Sequence, residues 1–177
     1  MTSPHVVAVH VWPADSPTPI PVDNLELTFA GVVGDRHFGE TMASDTRQAK
    51  VYARGTTIRN HRQASIVDTG ELETIASRMG IPRLEPGVIA DNICTSGIPD
   101  LTSLPRMTRM EFSSGAVVIL GGENFPCVIA GGLVEDAYGT RAESFPKAAM
   151  GLRGLTGWVD HPGVVRPGDS ITLHPPL

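Results

Sequence analysis

Gly115–Val134, GAVVILGGENFPCVIAGGLV, is the stretch on which the fold turns. Ala116 to Leu120 is an unbroken apolar run of strand length. Gly121-Gly122 breaks it, and Pro126-Cys127 then precedes a second apolar run closed by Gly131-Gly132. Short apolar runs bounded by glycine and proline read as buried strands, so Cys127 is expected between two strand-like segments. Taken locally, its thiol has two readings. It is a small buried hydrophobe, the usual fate of a free cysteine, or a presented nucleophile whose backbone the preceding proline helps to fix.

Outward from this stretch the same pattern recurs. Met107 to Phe112 pairs with Ala116 to Leu120 through the hairpin Ser113-Ser114-Gly115, with the glycine where a positive φ is expected. Val6 to Trp12, Leu25 to Phe29, Ala64 to Val67, Leu155 to Val159, Val164-Val165 and Ile171 to Leu173 read as further short strands. Asp68-Thr69-Gly70-Glu71 has the form of a capping box. Leu72, Ile75, Ala76 and Met79 follow at helical spacing and predict a core face, stopped by Gly80 and Pro82. Ser144-Phe145-Pro146 predicts a second short helix with Ser144 as its cap. Glu40 to Arg59 is polar and irregular and reads as a long mobile loop, either a solvated face or a substrate lid. The expected class is mainly β with a few short helices.

Composition narrows the function. The 177 residues form one domain, with 41% apolar and 19% charged residues. The net charge of −5 and an aromatic content of 5% argue against nucleic-acid and anionic-membrane binding. No segment approaches the ~20 apolar residues of a membrane span. Two cysteines, Cys94 and Cys127, make neither a C-x-x-C pair nor a disulfide framework, so a cytoplasmic, reduced protein is expected. The six histidines show no zinc-type spacing.

The turn Gly31 to Gly39 brings Asp35, Arg36 and His37 together, read locally as a surface ion pair or as a functional turn. This segment, GVVGDRHFG (31–39), is followed by RQASIVD (62–68), PGVIADNICTSGIPDL (86–101), FPCVIAG (125–131), GLRGLTGWV (151–159) and PGVVRPGDSITL (162–173). In this order the pieces resemble a MOSC domain, the module named for the C-terminal part of molybdenum-cofactor sulfurases. The resemblance spans about residues 25–173.

That resemblance implies a strongly bent, closed or partly closed β-barrel around a pocket, with Cys127 at the pocket. It implies catalytic roles for Cys127, His37 and Asp35, and cofactor-binding roles for Arg36, Arg62, Gln63, Asp91, Asn92 and Arg153. The implied cofactor is molybdenum cofactor (molybdopterin), with Cys127 ligating the metal or carrying sulfur. Arginine suits phosphate and thiolate suits soft metals and sulfane sulfur. The implied partners are a cysteine desulfurase or other sulfur donor, electron-transfer partners and a small anionic ligand. No pyridoxal-phosphate site is expected in this chain. Two features depart from the family pattern. The usual Glu-Asn pair is Asp91-Asn92, and Glu123-Asn124-Phe125 stands before Pro126-Cys127 where a basic residue is usual. The acidic flank favours one alternative, a non-catalytic small-anion binding module with a structural Cys127; a second alternative is a molybdenum-dependent reductase of N-hydroxylated compounds, which requires bound molybdenum.

Overall fold

The computed structural model describes residues 3–176. Its strands in chain order are β1 (His5–Val11), β2 (Ile20–Val22), β3 (Leu25–Thr28), β4 (Gly31–Val32), β5 (Thr41–Ala43), β6 (Thr57–Arg59), β7 (Ala64–Asp68), β8 (Ile93–Ser96), β9 (Arg109–Phe112), β10 (Val117–Glu123), β11 (Leu155–His161), β12 (Gly163–Val165) and β13 (Ile171–His174). Helix α1 (Thr69–Met79) follows β7, and α2 (Val128–Tyr138) and α3 (Ser144–Ala149) lie between β10 and β11.

Eight strands form one sheet in the order β13-β9-β10-β11-β7-β8-β1-β2; β12-β3-β4 and β5-β6 form two small sheets. The mainly β reading with short helices holds, and the closed barrel is corrected. The large sheet is open, with β13 and β2 as its edges. It bends far enough for the Val6 amide to donate to Asp169 O at 2.9 Å and for His5 to bridge Ser170, but the ladder stops there. The β7–β8 pair is parallel, with α1 as its crossover.

Burial is two-sided. One face of the sheet closes over Leu25, Leu27, Ile66, Met110 and Phe112, while α1, α2 and α3 cover Val67, Leu72, Ile75, Cys94 and Phe145 on the other. Each such side chain contributes roughly 2 kcal/mol of apolar transfer. The 113–115 hairpin forms as expected, with Gly115 at φ 90°. A Cβ there meets nothing within 4 Å, so Gly115→Ala costs only the backbone term. A loss of about 1 kcal/mol in denaturant titration is the expected result.

Four expectations are overturned. The run after Cys127 is a helix, not a strand. Ala130, Gly131 and Val134 face the core while Val128 and Ile129 face solvent. Gly131 ends no strand; it lets α2 approach the next loop, where a Cβ would stand 2.1 Å from Ala142 O. The 40–59 segment is an ordered excursion. Strands β5 and β6 pair, and between them a short 3-10 turn over Thr46–Gln48 is capped by Asp45. The capping box of α1 is half-formed. Asp68 accepts from the Gly70 amide at 3.0 Å, but Glu71 turns inward to accept from Thr102 N and Oγ1 at 2.7 and 2.8 Å. Met79 is half-buried against the helical core. Helix α3 begins without a side-chain cap; Ser144 instead donates to Arg141 O at 2.6 Å.

Candidate functional site

Strand β1 ends, β7 and β8 begin, β10 ends and β11 begins around one cavity of about 160 Å³. Its walls include Trp12, His37, Arg47, Arg62, Asn92, Asn124, Cys127 and Arg153. Cys127 is half-buried and stands at the N-cap of α2, where unpaired helix amides place partial positive charge. Asn124 reaches the cavity because β10 carries an irregularity between Leu120 and Gly122, which resets the strand's alternation before it ends. The chain then turns through Phe125-Pro126 into the helix.

The wall opposite is held by one buried carboxylate. Asp35 accepts from Trp12 N at 2.9 Å, from His37 N at 2.9 Å and Nδ1 at 3.0 Å, and from Asn92 Nδ2 at 2.9 Å. Burial pushes the Asp35 carboxyl up, but these hydrogen bonds outweigh it and hold it below its ordinary 3.8. The Asn92 side chain ties strands together, accepting from Ser65 N at 2.9 Å and donating to His10 O at 3.2 Å. His37, tethered through Nδ1, leaves Nε2 for a ligand or water.

Cationic groups dominate the other side. Arg62 donates to Asn124 Oδ1 at 2.8 Å; burial, then repulsion from Arg47 and Arg153, lowers it to about 10 against the pull of Asp45 and the Cys127 sulfur. Arg153 is buried and donates to Ile89 O at 3.0 Å, and its Nε has no hydrogen-bond partner among the described residues. Burial also lowers Arg153, while Cys127 and Asp91 favour its charged form. Like-charged guanidinium groups crowded around a partly desolvated cavity are an arrangement that an anion relieves.

Five expected residues therefore line one cavity: His37, Arg62, Asn92, Cys127 and Arg153. Asp35 stands directly behind them. Three lie outside the lining. Arg36 stacks 3.7 Å over Trp12 and donates to Pro13 O and Ser16 O. Gln63 is fully buried, donating to Phe29 O at 2.9 Å and accepting from Val159 N at 2.9 Å. Asp91 accepts twice from the Gly87 amide, at 2.8 and 3.0 Å, and stands 3.8 Å from His10; burial pushes it up and His10 down. Each of the three serves the scaffold through these bonds.

Arg47, Asn124 and Trp12 also stand in the walls without having been singled out by motif, together with Ser65, Ala90, Ile129, Ala130 and Thr156, which lie within the quoted motif stretches but were not named as site residues. For Arg47 and Asn124 the sequence signal was proximity: Asn124 to Cys127, and Arg47 within a cationic loop. The acidic flank is also resolved. Glu123 accepts from the Gly151 amide at 3.1 Å and borders a neighbouring groove, outside the cavity lining. Among the described residues no cluster of three or more His, Cys, Asp or Glu could hold a metal ion, and no helix is long and apolar enough to cross a membrane.

The described residues thus form an open β-sheet fold that presents one thiol, Cys127, in an arginine-walled cavity. The chain belongs to the MOSC domain family, whose model matches residues 34–172. YuaD of Bacillus subtilis (strain 168), whose name assigns it provisionally to metal-sulfur cluster biosynthesis, is 40% identical over 156 residues, covering 86% of this chain and 81% of that protein. The crystal structure of the Bacillus subtilis YUAD protein matches with a TM-score of 0.92 and 36% identity, over 99% of this chain and 98% of that one. YiiM from Geobacillus stearothermophilus shares the fold at a TM-score of 0.68 and 15% identity, with 97% of this chain and 75% of that chain covered.

Proposed function

We propose that this MOSC protein is a sulfur carrier, in which Cys127 accepts a sulfane sulfur and holds it within the arginine-walled cavity for metal–sulfur or molybdenum-cofactor assembly. One observation carries the reading. Of the two cysteines, the half-buried one lines the cavity, whose walls also carry the Arg62 and Arg153 side chains. The transfer is balanced and needs no oxidant. The Cys127 thiolate attacks the outer sulfur of a donor persulfide, a new S–S bond forms, the donor S–S bond breaks, and the donor leaves as its thiolate. The proton that Cys127 releases on ionising to the thiolate ends on that leaving thiolate, giving the donor thiol. The product persulfide is anionic, and the guanidinium groups and the α2 N-terminus favour it. The name of the Bacillus relative is consistent with this role.

The donor set also fits the anionic part of molybdopterin. The orphaned Arg153 Nε is buried at the cavity, Arg62 lies beside it, and Asn92 and Asn124 offer amide groups. Arg62, Arg153 and the two amides would hold the cofactor. When bound, the molybdenum cofactor would supply a redox-active metal with soft-ligand chemistry that a thiolate could join. At about 160 Å³ the cavity falls below the ~300 Å³ at which small-molecule pockets generally begin. Its enclosed part therefore suits a phosphate or a metal–sulfur end.

Intact mass and metal analysis test the proposal. After incubation with cysteine and a purified cysteine desulfurase, the protein is expected to gain the mass of sulfur and lose it on treatment with dithiothreitol. No gain from the desulfurase or from sodium tetrasulfide overturns the carrier reading, and no molybdopterin on protein from a cofactor-competent host overturns the cofactor fit.

A further inference from the structure

The cavity at Cys127 opens onto a groove of about 480 Å³ bordered by Arg47, Arg62, Arg106, Phe125 and Trp158. Arg47, Arg62 and Thr156 belong to both, so the two are continuous. The rim is apolar and open. Phe125, Val128 and Ile129 surround Cys127 in sequence and are 55%, 56% and 72% exposed. Helices in a folded domain normally keep such residues inward. Here the first turn of α2 presents Val128 and Ile129 outward beside the thiol, and Phe125 stands just before it, although Ala130 and Val134 of the same helix are buried.

Charge on this face runs against that of the whole chain. The net charge is −5, yet the groove carries three guanidinium groups. Two carboxylates stand near them. Glu123 is bonded to the Gly151 amide and Asp45 to Arg47. Arg62 and Arg106 have no carboxylate partner among the described residues. Aromatic residues and arginine around a recess, with exposed aliphatic groups beside them, are the composition of a protein-binding hot spot.

We infer that this face is the docking surface for a sulfur-donor protein that presents its persulfide cysteine on a protruding acidic loop, an inference that rests on the sulfur-carrier reading above. Two observations select this occupant. The cavity at Cys127 is narrow and its thiol half-buried, so a flat donor surface cannot bring its sulfur to attacking distance and a projecting loop can. The unpaired guanidinium groups around the entrance complement carboxylates on such a loop and would steer its approach. The aliphatic rim seals the contact against water during the transfer.

The test compares two sulfur sources. Wild type, Phe125→Glu and Val128→Glu are loaded either from cysteine by a purified cysteine desulfurase or from sodium tetrasulfide, and persulfide formation is followed by intact mass. Neither substituted residue lines the Cys127 cavity, and both are exposed, so folding is expected to survive, as circular dichroism would verify. Each variant should load from the desulfurase roughly tenfold more slowly, and from tetrasulfide at the wild-type rate. Added salt should slow the desulfurase route more than the tetrasulfide route. Equal rates from the desulfurase in wild type and variants overturn the docking surface, as does an equal loss from both sources. A wild type that loads from tetrasulfide but not from the desulfurase also overturns the docking surface while leaving the carrier role standing. A wild type that loads from neither source sinks the carrier role itself.

Discussion

Cys127→Ser is expected to gain no sulfur from any donor, while Cys94→Ala gains as much as wild type. The two thiols differ in surroundings, and the surroundings decide. Cys94 is fully buried on β8, packed in the helical core with Val67 and Ile75, with its Sγ 3.8 Å from Thr95 O. Burial pushes its thiol upward, and Asp91 and Asp68 add to the effect. A thiol that resists ionisation and has no path to solvent neither attacks nor exchanges. Cys127 lines the cavity that Arg62 and Arg153 also line. Serine there keeps the size and loses the only sulfur that can form the new bond. Cys94→Ala removes one buried sulfur and is expected to cost about 1–2 kcal/mol of stability with no loss of uptake. Alkylation by iodoacetamide gives an independent readout: one fast site in wild type, none in native Cys127→Ser. Sulfur gain that persists in Cys127→Ser, or vanishes in folded Cys94→Ala, would sink the assignment of Cys127.

How much of this the sequence carried depends on which residues spoke locally. Strands β3, β7, β10, β11 and β13 were legible because each is a short apolar run between turn formers. The 113–115 hairpin was legible because glycine met a position that needs positive φ. Helix α2 was not, since VIAGGLV is apolar on every side and its period is uninformative over seven residues. What turns it into a helix is tertiary: Gly131 packs against the Ala142 backbone, a contact that no local pattern announces. Glu71 shows the same limit. A capping box and a long-range bond to Thr102 have the same residue type at the same spacing, and only the fold chooses. Of the residues the motifs named, Cys127, His37, Arg62, Asn92 and Arg153 come together around one cavity. The motifs also gathered Gln63 and Asp91, whose bonds run into the scaffold. Motif position marks a residue as fixed by the fold, and ligand binding is one of several reasons for that. Arg47 and Asn124 were passed over because their neighbours in space, Arg62 above all, lie far from them in sequence.

Asp35→Ala is expected to cost about 4 kcal/mol and to loosen the cavity together with the fold. The side chain of Asp35 is 1% exposed and receives four hydrogen bonds, from Trp12 N, His37 N, His37 Nδ1 and Asn92 Nδ2. Alanine leaves the Trp12 amide and the Asn92 amide without their acceptor in a buried setting. Each unsatisfied donor costs about 1–3 kcal/mol, and bonds to an ionised acceptor stand at the upper end. The pH dependence follows from the direction of the shift. The folded carboxyl lies below its ordinary 3.8, so its ionised form contributes stability that is complete above that ordinary value and is lost as pH falls through the lower folded value. The deficit of Asp35→Ala should therefore be constant from pH 7 down to about 4 and shrink only in more acidic solution. Urea titrations of both proteins across that range check it. A deficit that grows on acidification would show that the carboxyl is instead held neutral. Asp35→Asn separates shape from charge. It keeps the volume and one acceptor oxygen but turns an amide toward groups that are themselves donors. It should therefore recover only part of the loss, and His37, no longer tethered at Nδ1, should lose its fixed orientation at the cavity mouth. Heteronuclear NMR of the His37 ring would register that release as line broadening or a shift absent from wild type.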